Sequence, residues 1–155
     1  MVTAGNDRGS PGPLRVLLID GDGSDRALFA RATESSGVEV CLSTVGSGDE
    51  AVEYLGGLGR YADRSLHPMP ELMVLELKLA GVSGLELLEW KRGTAVRDVP
   101  AVVFTGFAQR RDLEVARSLG AVECVRKPLD FHEFMGAVKR IVEFGFKERM
   151  AGERP

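Results

Sequence analysis

Unbroken apolar runs and helical spacing alternate along this chain. Leu14 to Asp20 (LRVLLID), Leu72 to Glu76 (LMVLE) and Ala101 to Gly106 (AVVFTG) are short runs of strand formers that end in polar residues or glycine. Runs of this kind suit strands buried on both faces, as in a parallel sheet. Val38–Val45 and Val122–Val125 read as two further strands. Between these segments the apolar residues recur at helical spacing. Leu28, Phe29 and Ala32 share one side of a helix that starts after Asp22–Ser24 and ends at Gly37. Ser47 with Glu50, Ser83 with Glu86, and Asp130 with Glu133 have the spacing of helix-start capping pairs. They open a helix through Tyr54 and Leu58, the helix SGLELLEWKR, and a final helix with Phe131, Phe134, Val138, Ile141 and Val142 on its apolar face. Asp112 to Leu119 is a further helix, stopped by Gly120. Strands and helices alternate throughout, which predicts an α/β fold: one parallel sheet with helices on both faces and right-handed crossovers.

Two segments fall outside this rhythm. The Gly/Pro/Ser-rich residues 1–13 are expected to form a poorly ordered tail, and the charged residues 147–155 a solvated one, leaving 14–146 as the domain. The stretch from Gly56 to Pro70 is a loop longer than the ~12 residues usual in compact domains, so it is either functional or an insertion. Composition then narrows the function classes. The chain has 155 residues, 44% apolar and 28% charged, which is ordinary globular usage, and a net charge of -3 gives no electrostatic reason to expect nucleic acid. No apolar run approaches the ~20 residues of a membrane span, and the N-terminus lacks the apolar middle of a signal peptide, so a cytoplasmic protein without a membrane partner is expected. Cys41 and Cys124 are too few and too far apart for a disulfide framework or zinc site, and are expected to be small buried hydrophobes.

The polar strand ends carry the candidate chemistry. In an open parallel sheet the carboxyl ends of the strands face the ligand crevice. Here those ends carry Asp20 with nearby Asp22, Glu76, Thr105, and Lys127 before Pro128. Carboxylates can hold a hard cation there, while a hydroxyl and an ammonium can contact phosphoryl oxygens. Taken singly, Glu76 could be a solvent-facing strand end, Thr105 a β-branched strand residue and Lys127 a surface lysine. Their joint placement on separate strands favours a site.

On these residues the chain resembles a receiver domain of a bacterial response regulator, over Leu14 to Phe144. The resemblance is carried by LLIDGD, LELKLAGVSGLELL, VVFTG, LGA followed by VRKPLD, and the closing helix. The loop before Pro70 and the ending IVEFGF are similar to small single-domain regulators that accompany phytochrome-type histidine kinases. The resemblance implies a flavodoxin-like, CheY-like (βα)5 fold with strand order 2-1-3-4-5, two helices on one face and three on the other. That order would place Cys41 and Cys124 on opposite edge strands about 19 Å apart, too far for a disulfide. It also implies two-component phosphorelay signalling with a histidine kinase or other signalling protein as partner, through protein contacts rather than an appended output domain.

In that family an aspartate after the third strand accepts the phosphoryl group beside Mg²⁺, which it holds together with an acidic pair after the first strand. Carried over by position, the acceptor place is Glu76, the acidic pair is Asp20 and Gly21, the hydroxyl is Thr105, the lysine is Lys127, and the usually aromatic switch position is Cys124. Glu76 and Gly21 depart from the pattern. The extra methylene of Glu76 moves its carboxylate by over ~1 Å, a displacement that can cost about 10²-fold in a near-attack geometry. Gly21 removes a carboxylate that Mg²⁺ needs, leaving Asp20 and, one residue late, Asp22 as weakened ligands. A receiver degenerate in phosphotransfer follows, with no enzymatic activity and with Glu76 imitating the phosphorylated state by pairing with Lys127. An alternative comes from Asp20-Gly21-Asp22-Gly23-Ser24, which resembles the opening of haloacid-dehalogenase-type phosphatases with Asp20 as nucleophile. Against it, no acidic pair follows Lys127 and there is no cap domain. Phe144 and Phe146, beyond the main stripe of the last helix, are expected to be exposed contact residues, the alternative being that Phe146 folds back over the sheet edge of its own chain; the resemblance to receiver domains implies a homodimer through Asp112–Phe144.

Overall fold

Residues 12–152 are described by a computed structural model; residues 1–11 of the expected N-terminal tail, and 153–155, lie outside the described residues. In chain order the elements are β1 (Leu14–Ile19), α1 (Gly23–Glu34), β2 (Val40–Val45), α2 (Gly48–Gly56), a 3-10 turn (Gly59–Tyr61), β3 (Leu72–Leu75), α3 (Gly84–Arg92), β4 (Ala101–Thr105), α4 (Arg110–Ser118), β5 (Glu123–Arg126) and α5 (Phe131–Gly152). The strands pair in parallel in the order β2-β1-β3-β4-β5.

Side-chain alternation along the strands divides the core into two layers. Leu17, Ile19, Met73, Leu75 and Val103 meet Tyr54 of α2, Leu87 of α3 and Leu113 of α4. Val16, Leu18, Leu72, Val74 and Phe104 meet Phe29 of α1 and Phe134, Val138 and Ile141 of α5. Two helices therefore cover one face and three the other. Because both faces are covered, the three central strands are almost wholly apolar, and polar residues are confined to their ends.

The helix starts follow the capping logic of the sequence. Ser47 accepts the N–H of Glu50, Ser83 that of Glu86, and Asp130 that of Glu133. The loop leaving β3 is pinned from outside by close backbone approach. A Cβ on Gly48 would collide with the Val82 carbonyl, and one on Gly81, whose φ is 71°, would collide with the Asp49 carboxylate. The start of α2 thus holds the β3–α3 loop, and with it the end of β3.

The long loop after α2 is built rather than open. Tyr54 donates its hydroxyl proton at 2.9 Å to Pro68 O, Arg64 donates to Tyr54 O and Leu55 O, and Tyr61 is buried against His67. Helix α2 stops at Gly56, because Gly57 caps it in the left-handed region at φ 64°, and Leu58 is left exposed instead of helical. Helix α5 continues through Gly152, so residues 147–152 are helical, and all of them except Arg149 are exposed, solvated as expected. Arg149 explains the extension: it donates at 2.7 Å to Gly12 O, sits 3.5 Å from Glu71 Oε1, and tethers the last turns to the start of the sheet. Cys41 is exposed, because β2 is an edge strand left uncovered at that position, and Cys124 is half-buried on the opposite edge. Neither is the fully buried hydrophobe that composition suggests.

Candidate functional site

Four of the expected residues meet at the carboxyl edge of the sheet: Asp20 after β1, Glu76 after β3, Thr105 closing β4 and Lys127 after β5. Asp20, Glu76 and Lys127 open, with Gly21, onto a cleft of about 830 Å³ that has the exposed side chains of Phe107 and Leu129 on its rim, while Thr105 lies buried behind it.

Lys127 is the hub. Its ammonium donates to Asp20 Oδ2 at 2.6 Å and to Asp25 Oδ2 at 2.7 Å, while Glu76 Oε1 lies further off at 3.7 Å. Burial alone would pull the lysine pKa down, but the hydrogen bonds to Asp20 and Asp25, with the charges of Asp20 and Glu76, raise it above its ordinary value. The expected Glu76–Lys127 pair is therefore present only as a longer contact. The short bonds go elsewhere because Asp25, one turn into α1, reaches the ammonium from the other side.

Glu76 turns its carboxylate toward backbone donors. Leu77 N–H donates to Oε2 at 3.1 Å and Gly106 N–H to Oε1 at 3.3 Å, so the carboxylate spans the ends of β3 and β4. Thr105 is fully buried, and its Oγ1 has no hydrogen-bond partner among the described residues. Cys124 stands apart from the charged cluster: it packs toward α4, with Sγ 4.0 Å from Leu113 O, and burial pushes its thiol pKa up.

Asp22, expected as a weak metal ligand, is instead the N-cap of α1, accepting the N–H groups of Ser24 at 2.8 Å and Asp25 at 3.1 Å. Asp20 has both oxygens engaged, Oδ1 by the Asp22 N–H at 2.9 Å and Oδ2 by Lys127. Mg²⁺ requires a near-octahedral oxygen shell. Among the described residues no group of three or more His, Cys, Asp or Glu is arranged to hold a metal. With Asp22 capping a helix and glycine at 21, Asp20 and Glu76 are the carboxylates that line the cleft, and Asp20 already accepts one hydrogen bond on each oxygen, a donor set weakened for Mg²⁺. The lysine ammonium supplies the positive charge there.

Sequence reasoning missed Asp25 and Arg26. Arg26 donates at 2.7 Å to Asp20 O, so Lys127 is not the sole cation beside Asp20. Both residues lie in the first turns of α1, where an acid is explained by the helix dipole alone and no motif singles it out. Phe144 and Phe146 are half-buried instead of exposed: Phe144 packs on the α1/α5 core layer, and the Arg149 guanidinium lies 5.4 Å from the Phe146 ring centre.

Comparison with known proteins agrees with this architecture. The response regulator receiver domain family matches residues 16–139. The chain is 29% identical over 133 residues to a probable methanogenesis regulatory protein, FilR2, of Methanothrix harundinacea, covering 85% of this chain and 83% of that protein. It is also 29% identical over 125 residues to the polar-differentiation response regulator DivK of Brucella ovis, covering 80% and 92%. Among solved structures, the phosphorylated cyanobacterial phytochrome response regulator RcpA superposes with a TM-score of 0.80 at 26% identity, covering 87% of this chain and 95% of that one. The bacteriophytochrome response regulator AtBRR gives 0.69 at 30% identity, covering 85% and 94%. Nothing in these comparisons supports the phosphatase alternative, and the second acid that it requires, Asp22, is committed to the helix cap. No helix among the described residues is long and apolar enough to cross a membrane.

Proposed function

The chain belongs to the response regulator receiver family, and we propose that it is a receiver of two-component phosphorelay signalling in which Glu76 supplies a permanent negative charge where a phosphoryl group is expected. The observation that carries this reading is the pair of bonds from Leu77 N–H and Gly106 N–H to the Glu76 carboxylate. Backbone donors from two strand ends hold that charge in place, and charge-assisted bonds of this kind are roughly twice as strong as neutral ones. A signalling state that depends on negative charge at the end of β3 is then populated without phosphotransfer and without resident Mg²⁺. Such a protein acts by binding a histidine kinase or another signalling protein, not by catalysis.

Glu76→Gln tests the charge while keeping the shape. In ¹H–¹⁵N spectra the Gly106 and Leu77 amide resonances should shift, as charge-assisted bonds become neutral ones, and affinity for an activated-state partner should fall. Amide positions and affinity equal to the parent's would reduce Glu76 to a packing residue.

Self-association belongs to the same proposal. The face formed by α4, β5 and α5 carries exposed Val115 and Val122, and a groove between β5 and α5 is lined by Val125, Ile141 and the half-buried Phe144. We expect a homodimer through this face at micromolar concentration. Val115→Glu with Val122→Glu, which leaves the core untouched, should weaken it at least about tenfold in sedimentation. A monomer at ~100 μM would remove the dimer, and a dimer indifferent to both substitutions would move its interface.

A further inference from the structure

The geometry points to Asp25 as a lock on Lys127: a carboxylate fixed by the start of α1 that occupies the ammonium and withholds it from any anion in the cleft. Three features lead there. Asp25 Oδ2 lies 2.7 Å from Nζ, as close as the buried Asp20 and a full ångström closer than Glu76. The Asp25 backbone is anchored, because its N–H is held at 3.1 Å by the capping Asp22 Oδ1, so its carboxylate is presented from a rigid helix start. And the two partners differ in access. Both acids line the cleft, but the Asp25 side chain is 32% exposed, against 4% for Asp20 and 8% for Lys127, which makes Asp25 the solvent-accessible partner and Asp20 the buried one.

An ammonium has three N–H groups. Two of them are spent on Asp20 and Asp25, and the short approach of Asp25 sets a negative charge between Nζ and solvent. An oxyanion entering the cleft must compete with a partner tied to the same chain and meets repulsion from it. Asp20 cannot be displaced without leaving a buried carboxylate unpaired; Asp25 can turn into solvent. Asp25 is thus the positioning residue that decides whether Lys127 serves the site or the helix. This inference concerns Lys127 and Asp25 and goes beyond the role given to Glu76, which is tested separately by the amide shifts of Glu76→Gln measured without any added anion.

The probe is inorganic phosphate, titrated into the ¹⁵N-labelled protein while the Gly106, Leu77 and Asp22 amides are followed. Asp25→Asn should tighten phosphate binding at this cleft by at least about tenfold over the parent. Asp25→Glu, which keeps the charge, should stay within a few-fold of the parent. Asp98→Asn, an equal loss of charge on a remote exposed residue, should not change the affinity. Adding Lys127→Gln to Asp25→Asn should abolish the gain. An unchanged affinity in Asp25→Asn, or an equal gain in Asp98→Asn, would overturn the lock. So would a gain that survives Lys127→Gln. Should the Lys127 variant not fold, the contrast between Asp25→Asn, Asp25→Glu and Asp98→Asn decides alone.

Discussion

Lys127→Met is expected to cost the fold about 3–5 kcal/mol, the loss found when one partner of a buried ion pair is removed. Its side chain is 8% exposed and stands between Asp20, Asp25 and Glu76, so its removal leaves three carboxylates facing one another. Glu76→Gln should cost less than about 1.5 kcal/mol, because the amide oxygen still accepts from a backbone N–H and the change removes a like charge. The pH dependence has a definite sign. The pKa of Lys127 is raised in the folded state, since its bonds to Asp20 and Asp25 outweigh burial. The stabilisation is then fully present below the unfolded lysine value of ~10.4 and is lost as pH rises through the higher folded value. Urea unfolding of parent and variant should therefore give a constant difference from pH 7 to about 9 that shrinks only above ~10.4. A loss under about 1 kcal/mol at pH 7, or one no larger than that of Glu76→Gln, would contradict the ammonium's place at the centre of the site.

Glu76→Asp combined with Gly21→Asp should bring back phosphoryl labelling by a small phosphodonor with Mg²⁺, at least about 10²-fold above the parent. The first change withdraws the carboxylate by one methylene from the backbone donors of Leu77 and Gly106 toward the acceptor position. The second returns an acid where the backbone can carry one. Gly21 has no positive φ, and a Cβ there would make only an ordinary 3.4 Å contact with Gly46 O. Each change alone should recover much less, since acceptor geometry and metal affinity are separate requirements. Equal labelling by either single variant would show that the two defects are not independent.

The strand ends were legible in the sequence for a physical reason. A strand covered on both faces tolerates polar side chains only where it leaves the sheet, so Asp20, Glu76 and Thr105 stood out against apolar runs, whereas Lys127 follows the polar edge strand ECVR and was marked by its place before Pro128. Strand order was not readable from pattern and came through resemblance to the receiver family; β2-β1-β3-β4-β5 agrees with it. Partner choice was not legible either. Lys127 sits closer to Asp25 than to Glu76 because α1 swings an acid across the top of β1, and no periodicity announces which of two carboxylates an ammonium will take. Asp22 resembled a ligand yet serves as a cap, since the same short acid suits both tasks. The continuation of α5 was hidden by the charges in KERMAG, which read as a tail; they stay solvated except for Arg149, which finds Glu71 and Gly12 O.

Intact-mass measurement of the parent protein after incubation with acetyl phosphate and Mg²⁺ tests most directly whether Glu76 has replaced phosphotransfer with a fixed charge. The account predicts an unchanged mass under conditions that label the Glu76→Asp, Gly21→Asp variant. A stoichiometric phosphoryl adduct on the parent, stable in acid and labile in base, would contradict it.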